Sequence, residues 1–237
     1  MSRVAVLQSN YIPWKGYFDI IQDVDQFIFY DDVQYTKNDW RNRNKVKTSS
    51  GSQWLTIPVN AASDMLICDV VLPNNNWAVK HFKTLEALYS KAPYFKNFKP
   101  FLEYVYLERK WVHLSELNQY LIKYISKNYL GISTGFLNSR EIKSEGKKLD
   151  RLLSILKEVN AKTYISGPAA REYIIEDRFE NEGIRLVYKD YNNYPKYAQF
   201  HPPFDDYVTI FDLLFHTGSD APYYIWGWRN NENACEF

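Results

Sequence analysis

The chain has 237 residues, 46% of them hydrophobic and 24% charged, which allows a packed core and lies outside the composition of a disordered protein. Lys and Arg number 29 against 28 Asp and Glu, and a net charge of +1 supplies no field for nonspecific nucleic-acid binding, so no nucleic-acid partner is expected. Two cysteines, Cys68 and Cys235, provide no disulfide framework or metal spacing; with no signal-like start and no apolar run near ~20 residues, they point to a reducing cytoplasm and no integral membrane segment.

Arg3 to Leu7 (RVAVL) and Gln26 to Tyr30 (QFIFY) are short β-branched or aromatic runs that predict strands. Between them Pro13 to Val24 places Trp14, Tyr17, Phe18 and Ile21 at helical spacing behind a leading proline. Gln53 to Val59 and Met65 to Leu72 predict two further strands, paired antiparallel, with Pro58 placing the first at a sheet edge. From Trp77 to Leu130 the spacing turns helical, with His81, Leu85 and Leu88 in one row and a break at Pro93. The last third alternates again: strand 132–138, helix 146–159, strand 163–166, helix 169–181 and strand 185–188. The expected fold class is α/β, one open, mainly parallel Rossmann-like sheet with right-handed crossovers. It is read as one domain over 1–237, with an inserted β-hairpin and helical lobe over 48–130 and a frayed tail over 230–237 containing Cys235.

The densest chemical signal is Val33 to Lys47, VQYTKNDWRNRNKVK. Gln34, Asn38, Asn42 and Asn44 carry amides, Arg41 and Arg43 carry planar forks suited to phosphate or carboxylate, and Tyr35 and Trp40 carry flat apolar faces. That set suits a phosphorylated, hydroxyl-rich ligand, and the same residues would also make a solvated loop or hairpin edge.

Ligands of such sheets collect beyond the carboxyl ends of the strands. The first post-strand set is Gln8, Ser9, Asn10 and Tyr11, followed by Trp14 where a helix begins. After the second strand come Asp31 and Asp32, candidates to bind a metal, orient a hydroxyl or accept a proton from an amine, or else to serve a turn or cap. After strand 163–166 come Ser166 and Gly167, opening Gly167-Pro168-Ala169-Ala170-Arg171. His81 is a candidate base or a half-buried, hydrogen-bonded histidine sharing a helical face with Trp77 and Leu85. Four scattered histidines give no metal spacing, so no metal is indicated, and Cys68 alternates with apolar residues as a small core residue would.

Five motifs in this order, LQSNYIPWKGYFD, YDDVQYTKNDWRNRNKVK, WLTIPV, YISGPAAREY and FDDYVTIFDLLFHTG, resemble the WbqC-like family of bacterial proteins over nearly the whole chain. The resemblance implies a role beside gene sets for O-antigen and other surface polysaccharides. Polar positions carried over from the motifs are Gln8, Asn10, Tyr11, Trp14, Asp31, Asp32, Gln34, Trp40, Asn42, Arg43, His81, Ser166, Gly167 and Asp212. Where many members begin with His-Gln-Pro this chain has Leu7-Gln8-Ser9, so a histidine-dependent role for the first loop has no residue here.

Two classes of function follow. One is an enzyme transferring an acyl or aminoacyl group to the amine of a nucleotide-linked amino sugar. Arg41 and Arg43 would hold phosphate, Trp40 or Tyr35 would stack, and Asp31, Asp32 or His81 would act as base. Its donor would be an acyl thioester, on acyl-CoA or an acyl carrier protein. A variant is an ATP-dependent carboxylate-activating ligase or nucleotidyltransferase, by analogy of fold. The other class is a noncatalytic glycan-binding or scaffold protein using its 20 Tyr, 14 Phe and 7 Trp.

Overall fold

The structure is a computed structural model that describes residues 2–62, 64–73, 76–172 and 174–229. The expected tail at 230–237, with Cys235, lies outside the described residues. Its strands are β1 (Arg3–Leu7), β2 (Gln26–Phe29), β3 (Arg43–Thr48), β4 (Gly51–Thr56), β5 (Gly135–Asn138), β6 (Thr163–Ser166) and β7 (Arg185–Tyr188). Five of them form one all-parallel sheet in the order β5-β2-β1-β6-β7, while β3 and β4 pair as a separate antiparallel hairpin. The chain runs outward from β1 through β2 to β5 and then reverses to β6 and β7. The order therefore switches between β1 and β6.

Side chains alternate across this sheet, and two packed layers use the two faces. Ala5, Phe27, Phe29 and Ile165 face one layer; Val4, Val6, Ile28 and Tyr164 face the other. The first layer contains α1 (Lys15–Gln22), whose Phe18, Ile20 and Ile21 are fully buried, and α7 (Ile210–Thr217), capped by the Thr209 hydroxyl accepting the Phe211 N–H. The second contains α5 (Lys148–Glu158) and the short α6 (Asp177–Asn181), which bring Leu152, Ile155, Leu156 and Phe179 onto the sheet. Each fully buried Leu, Ile or Phe side chain stabilises by ~1.5–3 kcal/mol.

One long connection joins β2 to β5. It comprises the hairpin, α2 (Asn76–Tyr89), α3 (Phe95–Glu103) and α4 (Leu114–Tyr124), all joined to the first layer's core.

Three expectations need correction. Met65 to Leu72 is a 3-10 turn at Ile67–Asp69 flanked by single bridges, Gln34 to Leu66 and Val71 to His113. Its apolar alternation serves burial of Ile67 and Val70 while the backbone bonds to two different neighbours. The true partner of β4 is β3, so the hairpin starts at Arg43 rather than 48. This strand was hidden because its inward positions include an amide, Asn44, at 1% exposure. The expected helix 169–181 is a 3-10 turn (Pro168–Glu172) followed by the short α6.

Candidate functional site

β2 and β5 end side by side, and beyond their carboxyl ends lies a cleft of about 720 Å³. Phe29 and Asn138 lie at the strand ends; Asp31, Ser139, Arg140 and Glu141 follow them. The insertion supplies the remaining wall, with Cys68 and Asp69 from the 3-10 turn and His113, Ser115, Glu116 and Gln119 from the start of α4. Four carboxylates, Asp31, Asp69, Glu116 and Glu141, line it with one arginine, Arg140, and of the four Glu116 is already paired with Arg109 at 3.1 Å. Such a cleft attracts a cation or an amine.

Asp31 is 3% exposed and fixed from two sides. Its Oδ1 accepts the Ser9 backbone N–H at 2.7 Å, and its Oδ2 accepts the Gln119 amide at 2.8 Å. Burial raises its carboxyl above the usual range, against the lowering pull of Gln119, Ser9 and the Arg41 charge. A carboxylate so placed is a stronger proton acceptor than an exposed one. Burial likewise pushes the Cys68 thiol up to about 11, which leaves it protonated and poorly nucleophilic at neutral pH. Lys123, 5.3 Å above the Phe29 ring, is lowered by burial and drawn back up by Glu141 and Asp31.

Asp32 points elsewhere. It accepts from the Ser139 hydroxyl and forms an ion pair with Arg151 of α5, whose Nη1 also donates to the Asp32 carbonyl at 3.2 Å. It ties the ends of β2 and β5 to a helix on the far face.

The polar motif is largely spent on backbone. Asn44 donates to the carbonyls of Tyr11 and Ile12 at 3.1 and 3.0 Å, and Asn42 donates to Ile57 at 2.7 Å. Arg41 donates to the Asn10 side chain and pairs with Asp39 at 3.3 Å. Tyr35 is core, 4% exposed, and Gln34 forms the bridge to Leu66. These groups clamp the loop after β1, where the Gln8 carbonyl accepts from Tyr17 at 2.9 Å. On the outer hairpin face Arg43 lies over the Trp54 ring at 4.2 Å, and Trp54 meets Trp40 at 5.2 Å, both tryptophans 39% exposed.

His81 sits in a separate cleft of about 300 Å³ beside Trp77 and Lys80. The Thr56 carbonyl, 3.1 Å from Nε2, can only accept, so Nε2 carries the proton. Nδ1 then accepts from the Tyr11 hydroxyl at 2.8 Å, which in turn accepts from Tyr106 at 2.7 Å. Burial lowers the imidazole to about 4, so it is neutral with both nitrogens engaged.

At the other end of the sheet edge, Ser166 is buried and its hydroxyl lies 3.4 Å from the Tyr164 hydroxyl. Gly167 lies close to the Tyr191 hydroxyl. Trp14, ahead of α1, lines a third pocket of about 280 Å³ with Tyr191, Tyr194, Asp206 and Tyr207. The predicted residues thus fall into distinct places: Asp31 in the acidic cleft, His81 behind the hairpin, and Trp14 in the aromatic pocket. Asp212, which the family motif also carries, is fully buried and accepts from Tyr89, Tyr197 and Gln199 at 2.9, 2.6 and 2.9 Å.

Residues 139–141 were open to the same post-strand reasoning that flagged Asp31, since they follow β5. His113, Ser115, Glu116 and Gln119 carry no comparable signal. They reach the cleft only because the inserted lobe folds back over the sheet edge.

Two comparisons with known proteins bear on this architecture. Over 227 residues, 95% of this chain and 98% of the other, the sequence is 44% identical to the uncharacterized protein Rv1507c of Mycobacterium tuberculosis. Residues 8–224 match the WbqC-like protein family, a span that starts at the loop after β1 and takes in the acidic cleft and the aromatic pocket. On that match the chain belongs to the WbqC-like protein family.

Proposed function

We propose that the chain is an enzyme of bacterial surface polysaccharide (O-antigen) biosynthesis that transfers an acyl or aminoacyl group to the amine of a nucleotide-linked amino sugar. The observation that carries this reading is the Asp31 carboxylate, held in place and raised by burial inside a cleft whose walls are acidic. An ammonium group enters such a cleft favourably and can give its proton to Asp31. The freed amine attacks the thioester carbonyl, the new C–N bond forms as the C–S bond breaks, and the thiolate leaves and is protonated. Arg140, exposed at the rim, is the cation available to a phosphate. The family's association with polysaccharide gene sets supports the choice of sugar.

Mass spectrometry tests it in two arms: amino-sugar nucleotide with acyl thioesters, and the same acceptor with ATP and an amino acid. A product heavier by the acyl group, lost in Asp31→Asn, supports transfer; product in the ATP arm alone moves the assignment to an ATP-dependent ligase. No mass change in either arm sinks both. The exposed Trp40, Trp54 and Arg43 face favours a second reading, noncatalytic glycan binding, in which Arg43→Ala lowers glycan affinity and no turnover exists.

A further inference from the structure

The pocket around Trp14 has a chemistry opposite to that of the acidic cleft. Trp14 meets Tyr191 at 5.0 Å and 75° and Tyr207 at 5.1 Å and 39°. These rings meet at an angle and make the apolar wall of the pocket. On the polar side stand Asn192 and Asp206. Asp206 gives one oxygen to the buried Lys15 at 2.7 Å and stays 34% exposed, so its charge is neutralised from behind while it can still accept hydrogen bonds. Lys196, also in the lining, is the cation left over.

We infer that this pocket binds a single pyranose ring, neutral or bearing a carboxylate or phosphate. A puckered ring lays its C–H face on Trp14 and Tyr207, while an amide and a carboxylate reach vicinal hydroxyls, which a nucleobase does not possess. The 280 Å³ volume suits one small ring rather than a drug-sized ligand. The pocket lies past the ends of β1 and β7, beside the switch between β1 and β6 where open sheets of this kind bind ligands. The inference extends the amino-sugar reading by giving a sugar ring its own place. It concerns binding, so either idea can fail alone.

Saturation-transfer NMR on the full chain, with N-acetyl-D-glucosamine, D-glucuronate, uridine and adenosine as probes, tests it. The expected result is transfer to the ring C–H protons of at least one sugar, weakened about fivefold or more by Tyr207→Ala, and persisting in Asp31→Asn. Tyr207 is 60% exposed, so its truncation should leave the melting temperature unchanged. Asn192→Ala, at an exposed position, is the second variant should the first misfold. Absence of transfer to both sugars overturns the proposal. So does transfer that neither variant alters, or binding of uridine or adenosine here without either sugar. Loss of turnover in Asp31→Asn with sugar binding intact leaves the pocket standing; turnover without sugar binding at Trp14 removes it alone.

Discussion

The backbone N–H of Ser9 donates to Oδ1 of Asp31 at 2.7 Å, joining the loop after β1 to the loop after β2. Because Gln119 of α4 holds the other oxygen, the same carboxylate also pins the inserted lobe to the sheet edge. One buried group therefore fixes both contacts, and under the proposed reaction it also accepts the proton.

Asp31 and Asp32, adjacent in sequence, should behave oppositely on substitution. The folded chain holds the Asp31 carboxyl above its unfolded value, so it binds that proton more readily. Its contribution to stability is therefore present at acid pH and is lost as pH rises from the unfolded pKa through the raised one. Asp31→Asn should match or exceed the wild-type melting temperature at neutral pH, fall behind toward pH 4, and lose turnover. Asp32→Asn should cost about 1–2 kcal/mol through its Arg151 and Ser139 bonds and keep the pH dependence of turnover. Paired melts across pH and rate profiles decide both.

His81 carries the opposite sign. Its imidazole is lowered to about 4, so between about pH 4 and the ordinary value near 6.5 only the unfolded chain binds the proton. Stability should fall as pH drops through that window, by roughly 3 kcal/mol at full effect. His81→Phe should flatten this part of the profile and cost about 1–3 kcal/mol at neutral pH, because the Tyr11 and Thr56 groups lose their partner. If His81 is structural, the turnover number survives; a loss of two orders of magnitude or more would return it to the role of base.

Asp19 on α1 is fully buried and receives Arg229 through two bonds at 2.9 and 2.7 Å, Lys189 at 2.8 Å and Tyr194 at 2.5 Å. Asp19→Ala leaves Arg229 without its anion and Lys189 with Asp23 alone, and should destabilise by about 3–5 kcal/mol in urea unfolding. Arg229→Ala, 32% exposed, should cost clearly less.

Gly218 ends α7 at a φ of 57°, and an added Cβ would lie 2.6 Å from the Tyr94 ring. Gly218→Ala therefore meets both backbone strain and a clash, and a loss of about 1–3 kcal/mol is expected in thermal melts. Gly183→Ala, also at positive φ but with open space around it, should cost about 1 kcal/mol.

The strands of the parallel sheet and the helix after β1 were legible from local runs, because Val4 to Val6 and Phe27 to Phe29 are buried on both faces and so read as continuous apolar stretches. The post-strand rule likewise picked out Asp31 without coordinates. What could not be read was how each polar side chain would be used. Asn42, Asn44 and Arg41 have the same hydrogen-bonding capacity whether they face a ligand or a carbonyl, and only the folded neighbours decide which. For the same reason the contacts of Gln119 with Asp31 and of Tyr207 with Trp14 were invisible in the sequence, since each lies far along the chain from the loop it meets. Local pattern specifies burial and period; the partner of a hydrogen-bonding group is a property of the tertiary fold.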